Sequence, residues 1–203
     1  MRRWAKSNDA TLAEAYFRGA EKVADILVRL QHNGVRTVSV YNLSRANLAR
    51  SDAELGPIYE ASIHFFTTLI PARFNPAQCS VRVHGDRSLL PESYCAAVRD
   101  VEAAMYGEDF RINMLAAYDA DDELRRAYRR AQQTGCDISA AFDICDVNMI
   151  IRTSPEQLLS GFLPMQSQYA MLNFLTTPLN DLDEDRIDQL IADYRRRPQL
   201  RGQ

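Results

Sequence analysis

Segments with strand character alternate with segments of helical periodicity along the whole chain, and this alternation limits the possible folds more than any other feature. The helical patterns lie at 11–30, 51–70, 92–105, 121–134 and 183–196, and the strand patterns lie at 35–43, 79–83, 111–116 and 147–151. Strands separated by helices usually pair in parallel, because the helix carries the chain back across the sheet. The sequence therefore predicts an α/β fold, a single domain over residues 1–203 whose mainly parallel central sheet is flanked by helices.

Two helix boundaries carry more specific signals. Asn33-Gly34 is typical of a left-handed cap at the end of the first helix. Ser51-Asp52-Ala53-Glu54 has the spacing of a capping box, in which a serine and a glutamate satisfy backbone donors at the start of a helix. Pro71 is expected to help end that second helix, because proline has no N–H group to continue it.

Composition excludes several classes of protein. Hydrophobic residues make up 46% of the chain and charged residues 25%, which is typical of a globular protein. The net charge of −3 argues against a general nucleic-acid binder, for which a basic excess is expected. No apolar run approaches the roughly 18 residues of a membrane span, and no signal peptide is evident. We therefore expect a cytoplasmic protein without a transmembrane segment.

The cysteines show no spacing typical of a metal site or a disulfide framework. A Cys-x-x-Cys pair is absent, and the three histidines lie apart from the cysteines in the sequence. Such isolated thiols usually behave as small apolar side chains. We expect free thiols at all four positions, Cys79, Cys95, Cys136 and Cys145.

The segment 146–156 carries the clearest functional signal. Its apolar run delivers Arg152 to the end of a predicted strand, where a loop can present it to a ligand at the carboxyl edge of the sheet. A guanidinium group can hold a diphosphate through two parallel hydrogen bonds. An arginine in this place can also cap the strand or pair with a carboxylate. The other motifs of the chain therefore decide between a diphosphate-binding role and a structural one.

Segment 146–156, followed by Ser160, resembles the diphosphate-binding signature of the cis-prenyltransferase, or undecaprenyl diphosphate synthase, family. The resemblance continues in order along nearly the whole chain. Residues 1–5 look like the end of the family's opening motif, and 41–50 are similar to its second motif. Residues 81–91 and 112–118 resemble later segments. This resemblance implies a transferase that couples isoprenoid diphosphates.

The resemblance also implies roles for individual residues. A prenyl transferase must hold a leaving diphosphate with cations and hydrogen-bond donors, and it must keep water from an allylic cation. The implied catalytic residues are Asn47 and Ser44. The implied diphosphate-binding residues are Arg3, Arg50, Arg152 and Ser160. The implied pocket residues are Trp4, Tyr16, Tyr41 and Phe65, although Trp4 and Tyr41 can equally be structural and Phe65 can equally belong to the core.

Magnesium is the cofactor that the resemblance implies. The family's N-terminal aspartate ligand has no counterpart in this chain, and we accordingly expect its N-terminal metal-binding strand to be missing. Asp119, Asp121 and Asp122 could bind the ion instead, because magnesium requires hard oxygen ligands. The alternative is that these residues favour the first turn of a helix, where the helix dipole is positive.

Several substitutions resemble one branch of the family, the lavandulyl and cyclolavandulyl diphosphate synthases. They are Leu12, Tyr16, Ala46 and the segment 179–181. That branch joins two dimethylallyl units irregularly, which is the function we expect. Leu158 and Met171 depart even from that branch. One alternative is ordinary chain elongation with isopentenyl diphosphate, against which these two residues weigh. The other is a catalytically degenerate partner subunit, which these residues and the missing aspartate favour.

The family also implies a homodimer. Residues 200–202 are similar to a basic tail that can complete the site of a neighbouring subunit. A solvated arginine face, continuing from 195–197, is the other interpretation of this tail.

Overall fold

The computed structural model describes residues 1–197, and the tail at 200–202 lies outside the described residues. The helices are α1 (Arg2–Ser7), α2 (Leu12–His32), α3 (Asp52–His64), α4 (Ile70–Arg73), α5 (Glu92–Ala104), α6 (Ala120–Thr134) and α7 (Glu184–Arg196). The strands are β1 (Thr37–Ser44), β2 (Cys79–His84), β3 (Phe110–Tyr118), β4 (Met149–Arg152) and β5 (Met171–Phe174). Each predicted helix and strand is present, with ends shifted by a few residues. Two short elements, α1 and β5, were not predicted, because four to six residues are too few to show a period.

All strands pair in parallel, but they form two sheets. The first sheet has the order β1-β3-β2, with Val38 and Val81 both opposite Ile112. The second sheet pairs β4 with β5, and Met149 lies opposite Met171. The predicted α/β fold with parallel strands and flanking helices is confirmed. It differs from the prediction in that the described residues place no strand between β1 and β4 to join the two sheets.

The main hydrophobic core covers one face of the three-stranded sheet. Ile112 and Met114 of β3 point into it, and α2, α3 and α5 pack over them. Tyr94 and Phe66 are among the largest side chains buried there, and their rings meet edge to face at 5.6 Å. A smaller cluster around Leu115 covers the opposite face. The sheet is therefore packed on both sides, as a parallel sheet normally is.

Helix α7 is anchored on α2 near the second sheet. Leu30 of α2 is buried against Ile187 and Ile191 of α7. Charged pairs surround this contact. Lys22 lies 2.5 Å from Glu184, and the Arg29 guanidinium donates from Nε to both carboxylate oxygens of Asp188 at 2.9 Å. The two helices therefore hold a fixed position beside β4.

The structure departs from the predicted boundaries at both ends of α3. Ser51 makes no side-chain capping bond, and Glu54 instead accepts a hydrogen bond from Arg2 at 3.2 Å. Helix α3 passes through a π-helical turn, Phe65–Leu69, into α4. Pro71 lies in the first turn of α4, where its missing N–H is tolerated, so the helical path ends after Arg73 and not at the proline.

A capping box does form, at the start of α2. The Thr11 hydroxyl accepts from the Glu14 backbone N–H at 3.1 Å, and the Glu14 carboxylate accepts from the Thr11 N–H at 2.7 Å. We expect Thr11→Ala to lower the free energy of unfolding by about 1 kcal/mol, because a backbone donor loses its partner. Ser51→Ala is the matched control and should change it by less than about 0.5 kcal/mol. Urea denaturation measures the free energy of unfolding of both variants. An equal decrease in the two variants would contradict the capping box at Thr11 and Glu14.

Two predictions that concern the whole chain can be compared with the structure. The cysteines Cys79, Cys95, Cys136 and Cys145 are free, as predicted. Over residues 1–197, the longest helices are too short or too polar to cross a membrane.

Candidate functional site

A cavity of about 1110 Å³ separates β1 from β4. Its walls are mainly apolar and come from α2, β1, β4 and α7. Its rim lies where β1 and β4 end, and there the lining becomes polar. Six of the predicted site residues lie on this lining: Tyr41, Ser44, Asn47, Arg50, Arg152 and Ser160. The fold thus brings together side chains that are more than a hundred positions apart in the sequence.

Arg152 is held at the rim by the loop that follows β4. Its Nη1 donates to the Ser160 hydroxyl at 3.0 Å and to the Leu158 carbonyl. Ser160 adopts a left-handed backbone with φ of 53°, which turns the loop back towards the strand end. The Nε of Arg152 is buried and has no hydrogen-bond partner within residues 1–197. A buried donor without a partner is costly, so this guanidinium is suited to receive an anion.

A second group of polar side chains follows β1. The Ser44 hydroxyl accepts from the Asn47 backbone N–H at 3.2 Å and caps a short 3₁₀ helix. The Asn47 side-chain oxygen accepts from Arg50 Nη2 at 2.8 Å. Because that oxygen is occupied, the amide presents its two N–H donors to any ligand. This group is therefore a set of donors and positive charge, as anion binding requires.

Tyr41 connects the two groups. Its hydroxyl donates to the Ser160 carbonyl at 3.2 Å. Its ring packs against Tyr118 and Phe162 at 6.0 and 5.5 Å. Burial raises the pKa of the Tyr41 hydroxyl, so it stays a neutral donor at ordinary pH. Tyr41 lines the cavity, and it fixes the end of β1 to the loop after β4.

Arg3 reaches the same loop from α1. Its two terminal nitrogens donate to the two carboxylate oxygens of Glu156, each at 3.0 Å, and Nη2 also donates to the Ser154 hydroxyl at 3.2 Å. Ser154 lines the cavity, whereas Arg3 itself lies just outside it. Sequence reasoning missed Ser154 and Glu156 as partners of Arg3, although both belong to the motif at 146–156. No local pattern signals a pair that is 153 positions apart.

The contacts with Ser154 and Arg3 make Glu156 unusually acidic. The Ser154 hydroxyl, followed by the Arg3 guanidinium, lowers the pKa of Glu156 to about 2. Because the folded-state value lies below the ordinary value of 4.5, the contribution of this carboxylate to stability is present above that value and is lost as pH falls through about 2. We expect an NMR titration of the carboxyl carbon to show this midpoint. The midpoint should rise most in Ser154→Ala and less in Arg3→Ala, and an ordinary midpoint in the unmodified chain would contradict the contact.

Three predicted pocket residues lie away from the cavity lining. The Trp4 indole N–H donates to Asp181 at 2.8 Å, and Arg18 lies 5.2 Å above its ring. Phe65 is 2% exposed and belongs to the main core, where Tyr16 packs against the same cluster. Helical periodicity places an apolar side chain on a buried face, but it does not tell a cavity wall from a core. Of the four predicted pocket residues, Tyr41 alone lines this cavity.

The acidic residues proposed as metal ligands have other partners. Asp119 accepts from the Asp122 backbone N–H at 3.0 Å and caps α6. Asp122 pairs with Arg45 and with Arg125, and Asp121 lies in the first turn of the helix. Residues 1–197 contain no group of three or more acidic, histidine or cysteine side chains that could hold a metal ion. These contacts favour the helix-start interpretation, and none of the three aspartates belongs to such a group.

Comparison with known proteins identifies the family of the chain. Residues 1–202 match the prenyltransferase family model that is described as "Putative undecaprenyl diphosphate synthase". The chain belongs to the cis-prenyltransferase family. The resemblance drawn from the motifs is thereby confirmed, and so is the prediction of a prenyltransferase, a transferase of alkyl groups other than methyl.

Individual relatives agree with this cis-prenyltransferase assignment. The chain is 28% identical over 219 residues to isoprenyl transferase 2 of Bradyrhizobium diazoefficiens, covering 98% of this chain and 85% of that protein. It is similar to the crystal structure of lavandulyl diphosphate synthase from Lavandula x intermedia in complex with dimethylallyl diphosphate, with a TM-score of 0.87, 22% identity, and coverage of 98% and 92%. A probable undecaprenyl diphosphate synthase from Campylobacter jejuni gives a TM-score of 0.76 at 20% identity, with 90% of each chain covered. At such identities the structural likeness establishes the fold.

Proposed function

We propose that the rim of the cavity binds isoprenoid diphosphates and that the chain couples two of them, releasing diphosphate. The observation that carries this proposal is the meeting of Arg152 and Ser160 with Asn47 and Arg50 at one rim of an apolar cavity. Fixed cations and donors stabilise a leaving anion because they need no reorganisation when charge develops. The apolar walls suit the hydrocarbon chain of the substrate and keep water away.

The proposed reaction has three bond changes. The carbon–oxygen bond of the allylic diphosphate breaks, and its electron pair leaves with the diphosphate. The π bond of the second substrate attacks the allylic carbon, and a carbon–carbon bond forms. The resulting cation then loses a proton. Arg3 is assigned to the allylic diphosphate, on whose oxygens negative charge develops as it departs.

We assign proton handling to Asn47 and a positioning role to Ser44. The Asn47 N–H donors can hold a diphosphate oxygen that accepts the proton, since the amide oxygen is already bound by Arg50. Ser44 acts through Asn47, because its hydroxyl caps the turn that carries the asparagine. Arg152 and Ser160 are assigned to the diphosphate of the second substrate, and Arg50 supports Asn47. The allylic diphosphate would compete with Glu156 for the Arg3 guanidinium.

The finer proposal is an irregular, lavandulyl-like coupling with dimethylallyl diphosphate as substrate. Leu158 weighs against ordinary elongation, because a leucine where the family pattern has an arginine removes a charge from the second diphosphate site. The likeness to a lavandulyl diphosphate synthase bound to dimethylallyl diphosphate supports the irregular coupling. Ordinary elongation with isopentenyl diphosphate is the second candidate, favoured by the isoprenyl transferase relatives.

Three further expectations belong to this proposal. Dependence on magnesium is expected from the family, although the described residues do not form a cluster able to hold the ion. A homodimer and a cytoplasmic location are expected on the same grounds. If no prenyl transfer is found, the remaining alternative is that the chain is a catalytically degenerate partner subunit.

The test is product analysis with purified protein and magnesium. Dimethylallyl diphosphate is supplied alone or together with isopentenyl diphosphate, and products are identified by mass spectrometry after dephosphorylation. A ten-carbon product from dimethylallyl diphosphate alone is expected. Product formed only when isopentenyl diphosphate is present would favour ordinary elongation. Absence of product under both conditions would contradict catalysis by this chain and favour a partner subunit.

A further inference from the structure

The end of β1 is out of step with its neighbour β3. Regular pairing of the two strands stops after Tyr41 and is restored at Ser44, which lies opposite Tyr118. Between these positions the ladder skips Asn42 on β1 and Ala117 on β3. Each strand therefore carries one extra residue, and the second shift restores the register lost at the first. Extra residues of this kind change the direction of the side chains that follow, and they are frequent beside functional sites.

The extra residue on β1 decides which way the following side chains point. Successive side chains of a regular strand alternate between the two faces of the sheet. Asn42 reaches the helices on the main-core face, and the next residue, Leu43, is buried in the same core. Ser44 is thereby turned to the face of Tyr41, and both line the cavity. In an unbroken alternation, Ser44 would point into the core.

On β3 the shift is held by the end of β2. The Ala117 carbonyl accepts from the Asp86 N–H at 3.2 Å. Gly85 packs so closely against Ala116 that a Cβ atom on this glycine would lie 1.9 Å from the Ala116 carbonyl oxygen. Backbone contacts therefore fix the shift on β3. The shift on β1 is held in another way, through the side chain of Asn42.

The Asn42 amide joins β1 to two helices. Its Nδ2 donates to the Ser62 hydroxyl of α3 at 2.9 Å and to the Tyr94 hydroxyl of α5 at 3.1 Å. The Ser62 hydroxyl donates in turn to the Ile58 carbonyl at 2.7 Å, so its oxygen can accept from the amide. Ser62 is 7% exposed and Tyr94 is fully buried. We call Asn42, Ser62 and Tyr94 the polar clasp.

A polar clasp inside an apolar core is not explained by stability alone. Burying hydroxyl and amide groups costs free energy unless they are hydrogen-bonded, and apolar side chains of similar size would fill the same space without that cost. Apolar contacts have no preferred direction, however, whereas hydrogen bonds tolerate little change of angle or distance. The clasp therefore specifies the position of one residue of β1 more closely than apolar packing does.

We propose that Asn42 is a positioning residue for the group that follows β1. Through the polar clasp it holds the extra residue in place, and this sets the start of the 3₁₀ helix Arg45–Ala49, which carries Asn47. The Ser44 hydroxyl caps that helix by accepting from the Asn47 N–H. The inference rests on the proposed function, in which Asn47 handles a proton at the rim. A small displacement of such a group slows the chemical step more than it weakens substrate binding.

The first test is kinetic and uses two variants of the polar clasp. Asn42→Ala removes the amide. Tyr94→Phe removes one hydroxyl but keeps the ring, so it should fold even if the alanine variant does not. Both should lower kcat for prenyl transfer, Asn42→Ala by roughly 10-fold to 100-fold, with KM for dimethylallyl diphosphate within about threefold of the original value. The double variant should have about the same kcat as Asn42→Ala, because the two residues act through one contact.

Asn33→Ala is the matched control. The Asn33 amide also donates two hydrogen bonds, to the Arg29 carbonyl at 3.0 Å and to Asp188 at 2.8 Å, but it lies before the other end of β1. Its removal should lower the midpoint of urea denaturation, as Asn42→Ala does, and should leave kcat unchanged. The pair of variants therefore separates a loss of stability from a loss of positioning.

Amide exchange in NMR supplies a second test that requires no activity. In Asn42→Ala the backbone amides of Ser44 and Asn47 should exchange at least about 10-fold faster than in the unmodified chain, because the turn that carries them is no longer held. In Asn33→Ala the exchange of these two amides should be unchanged.

Two results would overturn the inference. The kcat could stay within about twofold in both Asn42→Ala and Tyr94→Phe while the urea midpoint falls, which would make the clasp a purely structural network. The Ser44 and Asn47 amides could also exchange alike in Asn42→Ala and in the unmodified chain. If the unmodified chain forms no product, the proposed function fails, and the exchange rates still decide whether Asn42 positions this group.

Discussion

Replacing Arg152 with alanine is expected to lower kcat/KM for prenyl transfer by roughly 100-fold to 1000-fold, because losing one partner of a hydrogen-bonded charge pair costs about 3–4 kcal/mol of binding. Arg152 is the proposed ligand that is most firmly placed. Its Nη1 is fixed by Ser160 and by the Leu158 carbonyl, and its buried Nε has no other described partner. Steady-state kinetics with dimethylallyl diphosphate measure the effect.

Two further variants separate charge, geometry and surface effects. Arg152→Lys keeps the charge but loses the planar fork, so activity should return only in part. Arg99→Ala is the matched control, because Arg99 pairs with Glu92 on the exposed side of α5 and should leave kcat/KM unchanged. If Arg152→Ala retained activity within threefold of the original chain, the diphosphate site would have to lie elsewhere.

Phe65→Ala is expected to lower the free energy of unfolding by about 3–5 kcal/mol, because it leaves a cavity in a close-packed core. Phe65 is 2% exposed, and its ring meets Phe66 at 5.8 Å. Phe65→Leu keeps most of the volume and should cost less than about 1.5 kcal/mol. Denaturation in urea, followed by circular dichroism, measures both.

The Phe65 variants also show whether this side chain belongs to the core or forms the wall of a substrate tunnel. If Phe65 walled a substrate tunnel, the alanine variant would make longer products while its stability changed little. An exposed aromatic residue supplies the control. Tyr106 is 67% exposed, and Tyr106→Ala should change the free energy of unfolding by less than about 0.5 kcal/mol.

The charge at the rim differs from the charge of the whole chain. The net charge is −3, yet Arg50 and Arg152 lie on the cavity lining and Arg3 lies beside it. A cleft with apolar walls concentrates the field of such charges and attracts anions. Glu156 offsets part of this field while Arg3 is bound to it. An incoming diphosphate that displaces Glu156 would therefore meet a more positive rim.

Local patterns were enough to predict most of the secondary structure. The periodicity of 11–30 and the strand signal at 79–83 depend only on neighbouring residues, and α2 and β2 formed where these signals lie. The pairing of Arg152 with Ser160 is also local, since eight positions separate them. Sequence order placed this arginine at a strand end. Family motifs then connected it with a diphosphate.

The capping box and the pocket show where local patterns were insufficient. Ser51 and Glu54 have the right spacing, but Glu54 is bound by Arg2 from another helix. Phe65 has the periodicity of a buried face, and packing alone decided that this face meets the core. Such choices depend on residues that are distant in the sequence.

The amino-acid sequence by itself determined the order of helices and strands, their parallel arrangement and the family of the protein, because each of these depends on short-range periodicity or on motifs in order. Only the tertiary structure decided that Arg3 binds Glu156, that Asn47 and Arg50 share a rim with Arg152, and that a cavity lies between β1 and β4. The physical reason is that these contacts join segments about a hundred or more positions apart, and their geometry follows from how helices and sheets pack and not from any local preference.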